Sequence, residues 1–267
     1  MTRSIPPALA PLLERLELEQ PTTLTSEQLR ALAKDACIAT PTRVAIQRLA
    51  KRGWLLPTGV RGVWEFAPAS RAGALSEGDR FLPLRAAISR NSDLAAVVAL
   101  SSAMYALNLA DRQPEIPEIA LPTQARTLAA LHRSFRVTHF DAFLPPVRIR
   151  ELPVQDPATV LVHLAHRPND ARSWGAVLEN LPALVTATSA KDIRTELRDR
   201  PHATQARLAY LIADIAPTVV EQLNIQSAGR VWFGPRGRPR RYDPRWNIAD
   251  TLLPFSPDNL AKTGTPG

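Results

Sequence analysis

Hydrophobic positions recur with helical spacing along the first fifty residues of the chain. Between Pro6 and Gln20 the leucines mostly fall three or four residues apart, which predicts an amphipathic helix. A second helix is expected to follow Thr25, because Thr25 and Gln28 have the spacing of a capping box. Its apolar positions are Leu29, Leu32, Ala33 and Ala36.

A third helix is predicted from Thr40 to Gly53. Thr40 suits the N-cap, Pro41 suits the first helical position, and Gly53 suits the end of the helix. At about 100° per residue, one face of this helix is apolar and faces a core. The apolar face holds Thr42, Ala45, Ile46, Leu49 and Gly53. The opposite face holds Val44, Gln47, Arg48 and Lys51, with Arg43 at its edge.

Two short strands are predicted after this helix, with a tight turn between them. Gly59 and Gly62 permit the turn, so Arg61 is expected at its tip. On the returning strand, Trp64 and Phe66 are expected on the core face, and residues 63 and 65 on the other face. Three helices followed by a hairpin predict a winged helix-turn-helix domain over residues 1–90.

The outward face of the third helix suggests duplex DNA as a ligand. Cations and an amide contact phosphates and base edges in a major groove, and the alternative is a basic face that is merely solvated. The preceding helix and the following hairpin favour DNA. The expected DNA-binding residues are Thr40, Thr42, Arg43, Val44, Gln47, Arg48, Lys51 and Arg61.

Residues 67–93 read as a connector, and residues 91–267 as a larger mixed α/β domain. A central helix is expected over residues 94–109, because that stretch is apolar nearly all round. Asp156, Ser173 and Ser189 are suitable starts for helices in the later part. Strands are predicted at 118–121, 135–140 and 147–152, and helices at 128–132, 157–166, 174–186, 190–200, 202–215 and 218–223. The fold class is therefore α+β, with a winged helix-turn-helix followed by a mixed α/β domain.

Charge and composition agree with an anionic partner. The 267 residues carry a net charge of +8, and residues 1–90 hold 13 Lys and Arg against 8 Asp and Glu. One cysteine, Cys37, excludes an internal disulfide, and we expect it to be buried. Neither a transmembrane run nor an apolar signal core is evident, so we expect a cytoplasmic protein with no membrane partner.

The sequence offers little catalytic chemistry. His163 and His166 are three residues apart on a predicted helix, but no third ligand has an evident spacing, which favours core or solvated histidines over a metal site. We find no nucleophile, base and orienting group that can be named together. We therefore expect a protein that is not an enzyme and that uses no cofactor or metal.

The segment from Gly229 to Pro254 is rich in arginine and aromatic residues. Such a mixture suits a nucleic-acid backbone or an acidic partner, and the alternative is an edge strand with a solvated loop. A possible second basic surface is formed by Arg230, Arg236, Arg238, Arg240, Arg241 and Arg245, interleaved with Trp232, Phe233, Tyr242 and Trp246.

Three stretches of the chain resemble the AbiEi-type antitoxins of abortive-infection, type IV toxin–antitoxin operons. The first stretch runs from Arg43-x-x-Ile46-x-Arg48-Leu49 through Gly53 and Leu55 to Gly62-x-Trp64 and Pro68. The second runs from Ala103-Met-Tyr-Ala-Leu-Asn-Leu-Ala-Asp to Pro117-Glu-Ile-Ala-Leu-Pro, and the third is Asn247-Ile-Ala-Asp-Thr-Leu-Leu-Pro. The family commonly has histidine or glycine where this chain has Asn108 and Ala110.

The resemblance implies two activities. The winged helix would bind inverted repeats at the promoter of its own operon and act as a transcriptional repressor. The C-terminal domain would counter a cognate nucleotidyltransferase-like toxin, without needing a stable complex with it. Two alternatives stay open: a transcriptional regulator that responds to a ligand, and a DNA-processing enzyme targeted by the winged helix.

Overall fold

The computed structural model describes residues 4–71, 79–126, 129–226 and 229–258. Contacts divide the chain into two units: unit 1 comprises residues 1–95 and 126–134, and unit 2 comprises residues 96–125 and 135–267. In the described residues, no helix is both long enough and apolar enough to cross a bilayer.

The N-terminal elements are, in chain order, α1 (Ala10–Glu19), β1 (Thr23–Thr25), α2 (Ser26–Asp35), α3 (Thr42–Lys51), β2 (Leu55–Pro57), β3 (Val63–Phe66) and α4 (Leu82–Arg90). Short 3-10 turns occupy Pro7–Leu9 and Ala69–Arg71.

The chain continues through β4 (Val97–Val98), α5 (Leu100–Ala106), β5 (Glu118–Leu121), α6 (Ala129–Ser134), β6 (Arg136–His139), β7 (Val147–Ile149), β8 (Leu152–Val154), α7 (Pro157–His166), α8 (Trp174–Thr186), α9 (Ala190–Leu197), α10 (His202–Ile212), α11 (Pro217–Leu223), β9 (Val231–Phe233), β10 (Arg241–Asp243) and β11 (Ile248–Asp250). A 3-10 turn at Pro168–Asp170 follows α7. Of these elements, only α6 belongs to unit 1.

The first part of unit 1 has three helices, α1 to α3, and a sheet in the order β1-β3-β2, which is the element order of a winged helix-turn-helix. The capping box that the sequence predicts is confirmed: the Gln28 amide donates to Thr25 Oγ1 at 3.1 Å, and the Thr25 amide donates to Gln28 Oε1 at 2.8 Å. Strand β1 was not predicted, because its three residues become a strand only by pairing with β3.

The core of unit 1 is built from α1, α2, α3 and the sheet. Phe66 and Leu49 are fully buried in it. Leu18 is 86% exposed, so it contributes nothing to the core. Cys37 is also exposed, contrary to our expectation. The chain turns through a left-handed conformation at Cys37, with φ of 51°, and Ile38 packs against the core instead.

The predicted connector contains a further helix, α4, which packs against β1 and β3. Leu84, Ala86 and Ala87 are buried on it, and α6 also packs against it. Asp79 Oδ1 accepts a hydrogen bond from the Phe81 amide, and Asp79 Oδ2 accepts one from Arg85 Nε at 2.6 Å. These two contacts fix the start of the helix. Residues 72–78 of the predicted connector lie outside the described residues.

Unit 2 is built around a five-stranded mixed sheet in the order β6-β5-β4-β8-β7. Its central helix is α7, which is buried from Ala158 to Ala165 and packs against α5, α8, α9 and α10. The helix starts predicted at Asp156, Ser173 and Ser189 are confirmed, because each side chain accepts a hydrogen bond from the first turn that follows it.

Two predicted elements of unit 2 are wrong. The helix expected over 94–109 is instead β4 followed by the shorter α5, because Leu100 has φ of 49° and its amide is bound by Gln155 Oε1 at 3.1 Å. The strand expected over 147–152 is a hairpin of β7 and β8. Arg150 and Glu151 form its turn, with φ of 46° and 66°.

Candidate nucleic-acid interface

Helix α3 begins one position later than the sequence suggests. Pro41 occupies the N-cap, with ψ of 134°, and no side chain caps the helix. The Pro41 carbonyl accepts from the amides of Val44 and Ala45. The N-cap role assigned to Thr40 is therefore wrong: Thr40 is half-buried just outside the helix, although it remains at the same end of the exposed surface.

The solvent-facing side of α3 is basic, as the helical spacing predicts. Ala45 and Leu49 are buried, whereas Thr42 and Val44 are half-buried. Four polar side chains are exposed on this helix: Arg43, Gln47, Arg48 and Lys51. Gly53, with φ of 77°, ends the helix in a conformation that favours glycine.

A groove of about 470 Å³ lies between α2 and α3 and is lined by Ser26, Arg30, Thr42, Arg43, Ile46, Gln47, Ala50 and Trp64. Arg30 is exposed on α2. It shares the groove with Arg43 and Gln47, so it belongs to the same surface. The sequence analysis missed Arg30, because only the packing of α2 against α3 brings the residues together. The sequence could have indicated Arg30 by its position, because it lies one turn after Ser26 on a polar side of α2.

The turn between β2 and β3 is fixed by several hydrogen bonds. Gly59 and Gly62 have φ of 81° and 80°, and the Thr58 hydroxyl donates to the Val63 carbonyl at 3.0 Å. The Gly62 carbonyl accepts from the Ser26 amide at 2.9 Å and from the Ser26 hydroxyl at 3.2 Å. The turn is therefore tied to the first residue of α2.

Arg61 lies in this turn with its side chain exposed. Its backbone carbonyl accepts a hydrogen bond from Arg90 Nη1, at the last residue of α4. Helix α4 thus contributes to the conformation of the β2–β3 hairpin, which is called the wing below. Sequence periodicity could not reveal this contact, which joins residues 29 positions apart.

Strand β3 is buried on both faces. Phe66 lies in the core and Trp64 packs against it, as expected. Val63 and Glu65, which were expected on an outer face, are 3% and 7% exposed. The reason is α4, which packs against β3 and β1.

The two histidines of α7 take part in the packing of unit 2. His163 is fully buried, where Nε2 lies 3.1 Å from Asp170 Oδ2 and Nδ1 lies 3.1 Å from Gln155 Nε2. The Phe140 ring stacks on it at 4.3 Å. His166 Nδ1 lies 2.9 Å from the Thr204 hydroxyl. Burial lowers the pKa of His163, and lowers the pKa of His166 to about 4.

Glu196 joins three elements of unit 2. Its Oε1 accepts from the Thr159 hydroxyl at 2.7 Å and from the backbone amides of Phe143 and Leu144. Arg200 lies 3.6 Å from Oε2. This carboxylate is fully buried, and its Oε2 accepts no hydrogen bond from the described residues. Because it is buried, it is not open to a substrate.

Asp214 is another carboxylate of unit 2 that lies close to a second acidic side chain. Hydrogen bonding to Asp258, together with burial, raises the pKa of Asp214, and Arg245 lies 3.6 Å from that carboxylate. Within the described ranges, no group of three His, Cys, Asp or Glu side chains could hold a metal ion.

A cleft of about 490 Å³ in unit 2 is open to solvent and has a largely charged and polar lining: Lys191, Arg194, Thr195, Leu197, Arg198, Asp199, Gln205, Leu223 and Ile225. Pockets that bind small molecules are mainly apolar. The cleft therefore does not favour a ligand sensor.

The structure divides the predicted second basic surface into two parts. Arg241 is structural, because it binds Asp250 at 2.9 Å and the carbonyl of Leu253. Arg245 is exposed and lies 3.6 Å from Asp214. The remaining arginines are exposed: Arg230, Arg236, Arg238 and Arg240.

The aromatic residues of the same segment also divide. Phe233 and Trp246 are buried, so they hold the segment in place. Trp232 is half-buried, and Tyr242 is 51% exposed. The segment is thus held by buried rings, and it presents Tyr242 and several arginines to solvent.

The chain is similar to a known protein family and to a solved structure. Residues 95–214 match the family described as the AbiEi antitoxin C-terminal domain. The crystal structure of the RV2827C protein from Mycobacterium tuberculosis superposes with a TM-score of 0.78, over 94% of this chain and 94% of that chain, at 24% sequence identity. That likeness supports the α+β fold. No curated protein is significantly similar to the chain. The match over residues 95–214 agrees with the resemblance to the AbiEi-type antitoxins that the sequence shows.

Proposed function

We propose that the protein represses its own operon by binding duplex DNA through unit 1, and acts as an antitoxin through unit 2. One observation carries the DNA-binding part: an exposed basic helix face and an exposed arginine at a fixed hairpin turn occur in the same small unit. Both features are typical of winged helix-turn-helix readers, which insert one helix into the major groove.

Each side chain of the surface has a chemical role in this proposal. Gln47 suits the edge of adenine and Arg48 suits guanine, because each can form two parallel hydrogen bonds. Arg43 and Lys51 suit phosphates at either end of the helix. Val44 would offer an apolar contact to a thymine methyl group. Thr40 and Thr42, at the start of α3, would lie beside the phosphate backbone of the DNA.

Arg30 and Arg61 extend the surface on both sides of α3. Arg30, on α2, would hold a phosphate across the groove that it shares with Arg43. Arg61 would contact the backbone or the minor groove from the wing. Since the AbiEi resemblance implies an inverted-repeat operator, two copies of the protein would bind the two half-sites.

The antitoxin part rests on the family of residues 95–214. An antitoxin implies a toxin, and the resemblance suggests a nucleotidyltransferase-like toxin encoded in the same operon. A stable complex between the two proteins is not required by this proposal.

A paired cellular assay tests whether the two activities separate. The full chain and a variant with Arg43, Gln47, Arg48 and Lys51 changed to alanine are each expressed with a promoter reporter and, separately, with the toxin. We expect the variant to lose repression and to keep growth rescue. Loss of rescue by the well-folded variant would contradict separate activities, and retained repression would contradict the DNA-binding surface.

A truncation is a poor substitute for these substitutions. A chain ending at residue 90 or 92 lacks α6, which packs against α4 within unit 1. Its failure to bind DNA would therefore mix lost contacts with lost stability. Substitution of exposed side chains in the full chain avoids this difficulty.

A further inference from the structure

We propose that the outer face of the β10-β11-β9 sheet, together with the arginine loop at residues 234–240, binds an unpaired nucleic-acid strand. This is a different activity from duplex reading by unit 1 and does not depend on it. This surface lies in unit 2 alone, and three of its features point to such a ligand: the register of the sheet, the construction of the loop and the exposure of the loop's side chains.

The inner face of this sheet packs against the rest of unit 2. Phe233 contacts the Trp174 ring edge-on, with 5.0 Å between ring centroids, and the Tyr210 hydroxyl donates to Asp250 Oδ2 at 3.2 Å. Arg241 lies opposite Asp250 and binds it. These three neighbouring positions, 233, 250 and 241, therefore define the buried face.

The outer face carries the alternate residues. Tyr242 lies opposite Ala249, and Ala249 lies opposite Trp232. Because residues that pair across strands project to the same face, the three side chains form one row across the sheet. The half-buried Trp232 and the exposed Tyr242 thus lie on either side of a buried alanine, about 10 Å apart by the usual spacing of strands.

Tyr242 is fixed as well as exposed. Its hydroxyl donates to Asn247 Oδ1 at 2.8 Å, and the Arg230 guanidinium lies 5.7 Å from the centre of its ring. Half of its surface is open to solvent. An anchored ring of this kind can stack on a base with little loss of side-chain entropy on binding.

The arginine loop is held rigidly at its first residues. Gly234 has φ of 105°, and an added Cβ would lie 2.7 Å from Thr251 Oγ1 and 2.8 Å from Leu252 Cβ, so only glycine fits. The Thr251 hydroxyl donates to the Pro235 carbonyl at 2.8 Å. Pro235 itself restricts the backbone further.

The other end of the loop is also tied to the sheet. The Arg240 amide donates to the Asp250 carbonyl at 2.7 Å. Between these anchors, the side chains of Arg236, Arg238 and Arg240 are exposed and make no hydrogen bond or ion pair with any described part of the chain. The fold thus presents three free guanidinium groups beside an aromatic row.

This combination favours an unpaired strand over a duplex or an acidic protein. Aromatic faces stack on any base that is not already stacked, and arginines hold the phosphates between the bases. In a duplex the base faces are covered, so the exposed ring of Tyr242 would have no partner. An acidic protein would use the arginines alone.

The test measures binding of short labelled oligonucleotides to the full chain by fluorescence anisotropy. The protein carries alanine at positions 43, 47, 48 and 51, so that the surface of α3 is silenced. The probes are twelve-nucleotide oligo-dT and oligo-U, a duplex of equal length, and an oligo-glutamate peptide of matched charge. We expect single strands to bind at least about tenfold more tightly than the duplex or the peptide.

Variants of unit 2 identify the surface. Tyr242→Ala should weaken single-strand binding roughly 5- to 100-fold, the range of one lost base stack, whereas Tyr242→Phe, which keeps the ring and loses only its anchoring hydroxyl, should lose much less. Changing Arg236, Arg238 and Arg240 to alanine should weaken binding and reduce its salt dependence. The matched control removes three exposed charges elsewhere in unit 2, at Arg112, Lys191 and Arg198, and should bind like the parent.

Several results would overturn the proposal. One is binding of the duplex or the peptide as tightly as the single strands. Another is undiminished single-strand binding by Tyr242→Ala. The third is an equal loss of affinity from the loop triple variant and from its control triple variant. Failure of operator binding by the unmodified chain would leave this test unaffected, because the recognition helix is already silenced.

Discussion

Individual side chains on α3 are expected to divide base reading from phosphate binding. Gln47→Ala and Arg48→Ala should each lose about 1–3 kcal/mol of discrimination between the operator and single-base variants of it. Lys51→Ala should weaken all sequences alike and lower the salt slope by about one. Titration of the full chain with a panel of operator variants measures both effects. Equal losses from all three substitutions, without a change in preference, would show that this face does not read bases.

The buried histidine of unit 2 predicts how stability depends on pH. Burial holds the pKa of His163 below its ordinary value of 6.5. The unfolded chain therefore binds the proton more readily, so stability is complete above about pH 6.5 and is lost as the pH falls below it. Urea unfolding of the wild type between pH 7.5 and 5 should show this decline. His163→Gln should make this decline shallower, with the part due to His166 remaining, whereas His202→Gln, at an exposed position, should leave it as it is. An unchanged slope in His163→Gln would contradict the assignment.

At the scale of elements, α4 is expected to hold the wing in place for DNA. Arg90→Ala removes the donor to the Arg61 carbonyl, and should weaken operator binding roughly 2- to 10-fold, the value of one hydrogen bond. In an Arg61→Ala background the same change should matter less, with a coupling of at least about 0.5 kcal/mol. Arg133→Ala, which removes an exposed charge from α6 in the same unit, is the control. Fully additive losses would indicate that Arg90 acts on DNA by its charge alone.

The arginine loop allows a matched pair of glycine substitutions. Gly234→Ala should destabilise unit 2 by about 1–3 kcal/mol, because alanine resists φ of 105° and would press on Thr251 and Leu252. Gly237→Ala, in the same loop, has nothing within 4 Å of the added carbon, and should change stability by less than about 0.5 kcal/mol. Urea unfolding compares the two, and similar stabilities would mean that the loop is not built as described.

Features that depend on neighbours in sequence could be predicted, and those that depend on distant contacts could not. Periodicity identified the exposed face of α3, and local side-chain chemistry identified the caps at Thr25, Asp156, Ser173 and Ser189. The break at Leu100 was missed, because it depends on Gln155, 55 residues away.

In the candidate surfaces, too, local features could be predicted and contacts between distant residues could not. Arg61 could be placed at a turn by its two flanking glycines, but the contact that orients this turn comes from Arg90. Composition identified the arginines of residues 230–245 without distinguishing them. The pairing of Arg241 with Asp250 arises only when β10 pairs with β11. Likewise, the aromatic row is a consequence of strand register.

For the molecule as a whole, the central claim is that unit 1 reads the promoter of its own operon. The most direct measurement is the affinity of the full chain for promoter duplex and for a scrambled duplex, by fluorescence anisotropy across a salt series. We expect a preference of at least about 1,000-fold for the promoter, a steep fall in affinity with salt, and loss of the preference when Arg43, Gln47, Arg48 and Lys51 are changed to alanine. Equal affinity of the wild type for both duplexes, or a preference that survives the four substitutions, would contradict the claim.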